Sequence, residues 1–517
     1  MKKCYFVYVL LISNFLFAQK PGDLDNSFNS KGYFITDYMR SLSYFPSAAS
    51  YKDGSTVLCG EFQNGTSKRD ISIIKLKKDG TQDLLFANSG SFIFDINNRD
   101  QITSKSIIQN DDKILVFGWH NRGSDDDYLC LRLNKNGSLD STFGTKGVTS
   151  FTNQSGSDDY LNDAILLKDG KILATGETGI SNFDFSLFRL LSDGKLDLTF
   201  GNNGIVTTAI SDADDIPNSL VELSDGSIMV VGYTKKSGPL DFCIVKYSKN
   251  GIIDSTFGVD GILIKPLGDG VDNGKVICKS NDNNIYVGGF YYTGNKKSGF
   301  ILKFDPQGKQ VLNFGINGLL TVDHGFTNVT IKGLATDLNN NIVVCFEDYL
   351  SSTFKNTLLV SRYKSNGSLD TSFGKNGLAF GETSSLDLET YRLEIQNDQK
   401  ILISGIAAVN GFGELFIAKM HSGIITNNSN LKKSQSITIS SYDNNIIIDN
   451  FNFYTEDTHI KLYNINGQSI NLNSRKIGQN KVELSSTSIL PEGIYFITII
   501  DRKGNLFYST KFFYTKN

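Results

Sequence analysis

Apolar and polar residues alternate along this chain with a period of two, in short runs separated by turn residues. Leu161 to Leu167, Lys171 to Gly176 and Asp184 to Leu190 are three such runs, and alternation of this kind predicts β-strands. No segment shows a sustained apolar period of 3.6 residues, which would predict an amphipathic helix. Because the links between runs are short, neighbouring strands are expected to pair antiparallel. The pattern therefore predicts an all-β chain.

One stretch between such runs recurs throughout the chain. Its clearest copy is Gly137-Ser-Leu-Asp-Ser-Thr-Phe-Gly-Thr-Lys-Gly147, which reads G-x-L-D-x-x-F-G-x-x-G. The motif also starts, with 57 to 59 residues between successive copies, at Gly22, Gly80, Gly194, Gly251, Gly308 and Gly367, and a degraded eighth copy starts at Gly423. A period this regular marks a repeat architecture.

Two further signatures follow the opening motif in each unit. The first reads D-G-K-I-L-V-x-G, as in Asp169 to Gly176. Its Asp-Gly predicts a hairpin turn, and its last glycine predicts a close backbone approach or a bulge. The second is an alternating strand that ends in a basic residue, such as Arg189.

Each unit is expected to hold about four strands, beginning with Gly147 to Phe151. Four-stranded units repeated around a ring form a β-propeller, so seven units predict seven blades. The eighth motif lacks its Phe-Gly, so we expect the stretch from Leu24 to Asp37 to close the last blade. An open β-solenoid is the alternative, although its coils are usually shorter and lack internal hairpin turns.

The opening motif has a packing explanation. Its Leu and Phe anchor a turn, its Asp can accept backbone N–H bonds, and its glycines permit conformations closed to other residues. In two copies these structural residues are Leu139, Asp140, Phe143, Gly144, Gly147, Leu196, Asp197, Phe200, Gly201 and Gly204. A ring of metal ligands is disfavoured because the sixth copy has Val311 in the Asp position. For the same reason, pairing of the Asp with a strand-end Lys or Arg is expected to be at most optional.

The two ends of the chain differ from the repeats. Lys2 and Lys3 precede an apolar run from Tyr5 to Phe17, which predicts a signal peptide cut after Ala18. The run is too short to span a bilayer comfortably. The last 80 residues or so form strands and turns that predict a small β-sandwich. The expected organisation is a signal peptide at 1–18, a seven-repeat propeller at 19–426, a polar linker at 427–437 and a C-terminal domain at 438–517.

Charge and cysteine usage exclude several classes of protein. The net charge of −3 argues against a nucleic-acid partner, which needs a strong basic stripe. Five cysteines remain after the signal peptide, an odd number with no C-x-x-C, so neither a disulfide framework nor a zinc site is expected.

The three signatures together resemble the delta-60 repeat family of bacterial exported proteins, over residues 22 to about 426. The resemblance implies a propeller-like fold and an extracellular location, and it carries no catalytic residues.

The C-terminal domain resembles the type A sorting domain of type IX secretion substrates. The residues that carry this resemblance are Gly467, Gln468, Gly493, Tyr495 and Lys511. The usual Tyr-Pro-Asn-Pro is replaced by Tyr442-Asp-Asn-Asn. The resemblance implies the type IX machinery as a partner and a protein that is secreted or attached to the outer-membrane surface. We expect no transmembrane segment after signal cleavage, because no other segment of the sequence is apolar enough to cross a membrane. An ordinary accessory β-domain is the alternative.

Function is expected in the loops that differ between units, because the strands only position them. Tyr291 and Tyr292 are candidates for ligand contact, since aromatic rings can stack on sugars. The favoured interpretation is a binding or adhesion module for a glycan or a protein. The alternatives are a polysaccharide lyase or hydrolase with a site at the propeller channel, and a structural surface-layer protein. An enzyme predicts titratable residues from several blades in the channel mouth, whereas a binding module predicts an aromatic or acidic patch on one face.

No cofactor is expected, and calcium is the one ion that acidic loops would suit. These loops are Gly123 to Asp127, Ser157 to Asp159, Asp212 to Asp215 and Asp269 to Asp272. None has the spacing of an EF-hand. The chain also lacks G-x-S-x-G, H-E-x-x-H and P-loop motifs.

Overall fold

The computed structural model describes residues 20–37, 45–63, 68–235, 238–348, 358–381, 387–409, 411–423, 438–442, 445–449, 458–464, 468–478, 481–486, 490–501 and 506–514. The chain divides into two compact units, Met1–Ile425 and Thr426–Asn517. The predicted signal peptide lies outside the described residues. Within the described part of the chain, no helix is long and apolar enough to cross a membrane.

The first unit begins with strand β1, Tyr33–Ile35, and continues through 27 further strands in chain order. Blade one contains β2 Ser47–Ser50, β3 Thr56–Phe62, β4 Asp70–Leu76 and β5 Ser91–Phe94. Blade two contains β6 Gln101–Ile108, β7 Ile114–Asn121, β8 Asp126–Leu133 and β9 Val148–Phe151. Blade three contains β10 Asp158–Leu166, β11 Ile172–Gly179, β12 Asp184–Leu190 and β13 Ile205–Thr208. Blade four contains β14 Asp215–Glu222, β15 Ile228–Thr234, β16 Asp241–Tyr247 and β17 Ile262–Ile264.

The remaining blades follow the same plan. Blade five contains β18 Asn273–Lys279, β19 Ile285–Thr293, β20 Lys296–Phe304 and β21 Leu319–Val322. Blade six contains β22 Val329–Thr336, β23 Ile342–Asp348, β24 Leu359–Tyr363 and β25 Leu378–Phe380. Blade seven contains β26 Asp387–Ile395, β27 Ile401–Val409 and β28 Phe412–Met420, with β1 as its fourth strand. All pairs are antiparallel, which confirms the predicted seven-bladed all-β fold.

The first strands of the blades form the inner ring of the propeller. Each contacts the first strand of the next blade, and β26 contacts β2, so the ring is closed. Apolar side chains on facing sheets fill the space between neighbouring blades; Val116, Leu131 and Phe86, for example, share one cluster across blades one and two. Repeated four-stranded sheets therefore bury their faces against one another.

The blades are offset by one strand from the sequence units. The sequence predicted that the strand from Gly147 to Phe151 begins a unit. In the structure this strand, β9, pairs with β8 and is the outer strand of the preceding blade. The reason is that the opening motif is a tight turn, which returns the chain beside the strand that it has just left.

The same geometry closes the ring. Tyr33, Phe34 and Ile35 of β1 pair with Ala418, Ile417 and Phe416 of β28. The prediction that the N-terminal stretch closes the last blade is therefore confirmed. The first and last segments of the propeller share one sheet, which ties the two ends of the ring together.

The last glycine of the second signature lies opposite a β-bulge. Gly118 pairs with Thr103, and the register shifts between Thr103 and Lys105. A Cβ on Gly118 would lie 1.8 Å from the Ile102 carbonyl oxygen, so no larger residue fits this backbone. The predicted close approach and the predicted bulge are both present.

The second unit contains two four-stranded sheets. Its strands are β29 Thr438–Tyr442, β30 Asn445–Asp449, β31 Thr458–Asn464, β32 Ser469–Ile470, β33 Leu472–Gly478, β34 Lys481–Ser486, β35 Gly493–Asp501 and β36 Leu506–Tyr514. The sheets have the orders β29-β30-β34-β33 and β32-β31-β35-β36. Ile446 and Leu484 from one sheet pack with Leu462 and Ile497 from the other, which gives the predicted β-sandwich.

Candidate functional site at the channel mouth

The two faces of the propeller carry different kinds of loop. Each first strand ends at the turn of the second signature, and each third strand ends at the opening motif. Because neighbouring strands are antiparallel, both turns lie on one face, here called the lower face. The links between second and third strands, and between one blade and the next, lie on the opposite face, called the upper face. The first strands begin on that face, around the channel mouth.

On the lower face, the opening motif joins each blade to the next. Arg132, at the end of β8, donates from Nε to Asp140 Oδ2 at 2.7 Å, and its guanidinium carbon lies 4.5 Å from the centre of the Phe143 ring. The same guanidinium donates to the carbonyl oxygen of Ser192 in the next blade. Burial acts to raise the pKa of Asp140, but hydrogen bonds to its carboxylate and the Arg132 charge together hold it well below its usual range.

The glycines of the motif permit this packing. A Cβ on Gly144 would lie 2.2 Å from a carbonyl oxygen of the next strand, and one on Gly147 would lie 3.0 Å from Leu139. The buried Phe143 ring meets Gly194, the first glycine of the next copy. The next copy places Leu196, Asp197, Phe200, Gly201 and Gly204 in the equivalent positions.

The ion pair of this junction recurs in other blades. The distances between the nitrogen and oxygen atoms are 3.3 Å for Lys75–Asp83, 2.8 Å for Arg189–Asp197, 3.0 Å for Lys246–Asp254 and 2.7 Å for Arg362–Asp370. Pairing is thus more general than the sequence predicted, because the tight turn brings the Asp back to the strand end. In the sixth copy, with Val311, Lys303 still donates to the Ser365 carbonyl at 3.1 Å.

The acidic loops of the upper face mainly organise their own backbone. Asp159, Asp215 and Asp272 stand at the start of inner strands and accept backbone N–H bonds from the preceding links, for instance from Asn153 at 2.7 Å and Leu267 at 2.6 Å. Among the described residues, no group of three His, Cys, Asp or Glu side chains is placed to hold a metal ion. Calcium at these loops stays a prediction.

The two tyrosines predicted to contact ligand lie on opposite sides of β19. Tyr291 shares a hydrogen bond of 3.0 Å with Thr321 on the outer strand of its own blade. Tyr292 packs beside Gly270 and meets Phe290 edge to face, with 6.1 Å between ring centres. Phe290, which lies one residue earlier, carries the Lys297 ammonium 4.1 Å above its ring.

The channel mouth is ringed by residues that the bulges leave unpaired. Each of six inner strands shifts register once near its middle. The skipped residues are Ser104, Asn162, Asn218, Lys275, Lys332 and Tyr391. Two of them show how such side chains reach the next inner strand: Asn162 donates to the Pro217 carbonyl at 2.7 Å, and the Lys332 ammonium lies 5.0 Å from the centre of the Tyr391 ring.

An arginine crosses the channel beneath these residues. Arg392 of blade seven donates to the Ser104 carbonyl of blade two at 3.1 Å and to the Asn162 carbonyl of blade three at 2.9 Å. Asp163 lies 3.8 Å from the same guanidinium and 3.0 Å from Lys105. The mouth therefore has a polar floor and forms a cup.

Three lysines of blades five and six line one side of the cup. Burial, together with the charges of Lys332 and Lys297, lowers the pKa of Lys275 to about 8. Burial likewise lowers the pKa of Lys297. Lys332 pairs with Glu347 at 3.1 Å, whereas Lys275 forms no hydrogen bond or ion pair with any described residue. This side of the cup therefore concentrates positive charge that the protein leaves largely uncompensated.

Three glutamates stand at one repeated position, directly after the last residue of the second signature. Glu61 accepts the Thr103 backbone N–H at 2.8 Å, and Glu347 accepts that of Thr390 at 2.7 Å. The Glu177 carboxylate accepts no hydrogen bond from a described residue, and its Oε2 is buried. Burial raises the pKa of Glu177 to about 7, a nearby negative charge adds to the rise, and Lys275 opposes it.

Half-buried aromatic rings complete the other side of the cup. Trp119 and Tyr160 meet edge to face with 4.9 Å between ring centres, and Phe183 lies 5.6 Å from Tyr160. Tyr160 donates to Asp126 at 3.0 Å. The mouth thus combines titratable groups from several blades with an aromatic patch, the features expected of an enzyme and of a binding module.

Sequence reasoning missed the residues of the cup, although the chain contains a signal for them. Each skipped residue lies 14 positions before the last residue of the second signature, as Ser104 does before Gly118 and Lys275 before Gly289. The spacing is visible in the sequence, but only the closed ring shows that these positions meet.

Comparison with protein families identifies both parts of the chain. Five segments match a family described as a domain of unknown function (DUF5122) beta-propeller: 52–86, 109–143, 167–200, 223–257 and 352–373. Residues 442–513 match the secretion system C-terminal sorting domain. The repeat segments are thus similar to DUF5122 β-propeller repeats, and the C-terminal segment matches a type IX sorting domain. The sorting domain marks this chain as an exported protein, extracellular or at the cell surface.

Several solved structures resemble this propeller distantly. An ulvan lyase described as a new polysaccharide lyase family has 10% identity and a TM-score of 0.43, over 75% of this chain and 96% of its own. An α-L-arabinofuranosidase from Fusarium graminearum has 11% identity and a TM-score of 0.40, over 64% and 98%. A protein of unknown function from Dyadobacter fermentans has 14% identity and a TM-score of 0.37, over 61% and 95%. No curated protein matches the sequence.

The sorting-domain residues lie at hairpins of the second unit. Gln468 and Asn464 exchange backbone and side-chain hydrogen bonds that close the β31–β32 hairpin, including Asn464 N–H to the Gln468 carbonyl at 3.0 Å. Tyr495 is buried and donates to the Pro491 carbonyl at 2.8 Å, which fixes the entry to β35, where Gly493 is the first residue. Lys511 lies in β36 opposite Phe496. Gly467 lies outside the described residues.

Proposed function

We propose that the exported propeller binds an acidic polysaccharide in its channel mouth. The observation that carries this proposal is the set of lysines on one side of the cup, in which Lys275 and Lys297 form no ion pair with a carboxylate in the described part of the chain. A lysine held half-buried without a counter-ion loses hydration that a bound anion can replace. Carboxylate or sulfate groups on a sugar chain would supply that anion.

The rest of the cup suits a carbohydrate. Trp119, Tyr160 and Phe183 offer half-buried rings to the apolar face of a sugar, and the carboxylates and amides around them can bond hydroxyl groups. The polar floor that Arg392 forms across the channel makes the site a cup, which would hold part of a sugar chain without letting the chain pass through the propeller. Export by the sorting domain would place this cup where extracellular and cell-surface polysaccharides occur.

The test is calorimetric titration of the propeller with polygalacturonate, dextran sulfate and uncharged dextran at fixed ionic strength. We expect the acidic polymers to bind and dextran to bind weakly or not at all. Lys275→Met with Lys332→Met should weaken binding by about 10- to 100-fold, because each charged hydrogen bond is worth roughly 1–2 kcal/mol. Binding should also weaken as salt is raised.

The matched control is Lys249→Met with Lys309→Met, two exposed lysines of the lower-face turns. This control should leave binding unchanged. Equal loss in both double variants would indicate nonspecific attraction to surface charge, and equal binding of dextran and the acidic polymers would contradict the proposal.

A further inference from the structure

Glu177 differs from the other two glutamates of the repeated position because of one residue in the next blade. Glu61 and Glu347 each accept the backbone N–H of the residue before the next blade's bulge. For Glu177 that residue is Pro217, which pairs with Gly232 as Thr103 pairs with Gly118. Proline has no backbone N–H. Glu177 therefore lacks the backbone N–H donor that Glu61 and Glu347 have at the same position of their blades.

Groups from several neighbouring elements face the unpaired carboxylate. Asp214, in the link before β14, and Lys275, on β18, act on it with opposite charges. Tyr233 follows Gly232 as Glu177 follows Gly176, so the phenol stands at the equivalent place one blade further on. The Lys275 ammonium lies 6.0 Å from the centre of the Tyr233 ring. Tyr160, on β10, also feels the Glu177 charge.

These positions give a base, an acid and a cation on consecutive blades. The Glu177 carboxylate accepts no hydrogen bond from a described residue, and such a bond would lower its basicity. The phenol of Tyr233 keeps its proton at neutral pH, because burial and the charges of Glu177 and Asp214 raise its pKa to about 12. Lys275 is the cation whose charge acts on Glu177, and its ammonium lies beside the Tyr233 ring.

We propose that the channel mouth cleaves the acidic polysaccharide that it binds by β-elimination, with Glu177 as the base, Tyr233 as the acid and Lys275 on the substrate carboxylate. The inference rests on the proposed function and names its substrate as a glycan of uronic acid residues. Hydrolysis by two carboxylates is less favoured, because Asp214, the described carboxylate whose charge acts on Glu177, is already engaged by the Phe183 backbone N–H.

The step balances without an oxidant or a cofactor. Glu177 takes the proton from the carbon that bears the uronate carboxylate, and Lys275 stabilises the negative charge that develops on that carboxylate. The electron pair of the C–H bond forms a double bond to the neighbouring ring carbon, whose bond to the glycosidic oxygen breaks. That oxygen leaves with the bonding electrons and takes the Tyr233 proton. Glu177 and Tyr233 then recover their starting protonation through water.

The test incubates the full chain with polygalacturonate and with polymannuronate and follows the products by ultraviolet absorbance and mass. Elimination gives a conjugated double bond and fragments one water lighter than hydrolysis products. Glu177→Gln should lower the cleavage rate at least 100-fold while polymer binding changes less than threefold. Glu222→Gln, the same substitution on a lower-face glutamate, should leave both unchanged.

Pro217→Thr tests whether the missing N–H donor at position 217 is what leaves Glu177 unpaired, and it does not change Glu177 itself. Threonine occupies this place in blades two and seven, and its N–H would bond Glu177 as Thr103 bonds Glu61. The bond should lower the Glu177 pKa, so we expect the acid limb of the rate profile to move about one pH unit lower, since one such bond to a charged group is worth roughly that much. A merely structural role of Pro217 would change the rate without moving the profile.

The outcomes separate the two proposals. Tight binding of either polymer, abolished by the Lys275 and Lys332 substitutions, with no cleavage after prolonged incubation would overturn the lyase and leave the binding function. Fragments that carry the added water would replace elimination with hydrolysis. Absence of binding by wild type to both polymers would overturn the binding proposal and the lyase together.

Discussion

Arg132 of blade two donates to the carbonyl oxygen of Ser192, which follows the third strand of blade three. One side chain thus connects two blades while it pairs with Asp140 in its own turn. Six strand-end basic residues make the equivalent bond, and the first of them, Lys75, reaches Lys135 at 3.4 Å. The repeated motif is therefore a clamp between neighbours, and cooperativity around the ring should depend on it.

Removing one strand-end basic residue should lower the free energy of unfolding more where that residue also pairs with the Asp of its own motif. Arg132→Met should lower the free energy of unfolding by about 2–4 kcal/mol, because it leaves Asp140 buried with only Lys113 and turn donors. Lys303→Met is the matched variant, since Val311 leaves that lysine without an Asp partner, and about 1 kcal/mol is expected from the lost bond to Ser365. Urea unfolding followed through Trp119, the single tryptophan, measures both. Equal losses would contradict the role given to the pair.

Loss of the N-terminal closure should destabilise the whole ring. Deletion of residues 19–40 removes β1 and the buried Phe28, and it exposes the edge of β28. We expect the melting temperature to fall sharply and the protein to aggregate through the open edge. Phe28→Ala is a milder test that keeps the strand, and it should cost about 3–5 kcal/mol because the ring is fully buried. An unchanged melting temperature in the deletion would contradict closure.

The ionisation of Glu177 should make the propeller less stable as pH rises. Its pKa increases on folding from 4.5 to about 7, so the native state binds more protons between these values and stability declines across that window. Glu177→Gln removes this term. The variant should match wild type near pH 4 and exceed it at pH 8 by about 1–3 kcal/mol. Thermal unfolding at the two pH values measures the difference. A variant that loses stability equally at both would show that burial does not disfavour the ionised form of Glu177.

The sorting domain should be required for export of the protein but not for folding of the propeller. Truncation after residue 437, expressed in a bacterium with type IX secretion, should leave the protein inside the cell envelope, because the segment that matches the sorting domain is gone. Tyr495→Ala should reduce export, since it empties a buried site and removes the bond to Pro491. Tyr495→Phe should retain most export. Fractionation of cells and medium distinguishes these results, and normal secretion of the truncated chain would contradict the assignment.

The repeats made the fold predictable because the same physical constraint returns in every unit. Gly118 requires a bulge opposite, and the turn at Asp140 requires Leu139 and Phe143 to pack inward, so local sequence and global fold agree. The strand from Val148 to Phe151 was assigned to the wrong blade, because alternation predicts a strand but not its partner. Only hydrogen bonding to β8 decides that question.

The candidate site was not predictable in the same way because it has no local pattern. Glu177 and Lys275 are 98 residues apart in the sequence and belong to blades three and five. Glu61 and Glu177 look alike in the chain, and their difference depends on Thr103 and Pro217 in the following blades. Closure of the ring is what brings these positions together.

A crystal structure of the protein with a galacturonate hexasaccharide tests the role of the channel mouth most directly. We expect density for the sugar in the cup, with a carboxylate against Lys275 and a ring beside Glu177 and Tyr233. The Lys275→Met variant should lose that density under the same conditions. Sugar bound only on the lower face or the outer rim, or an empty cup at saturating concentration, would contradict the proposed site.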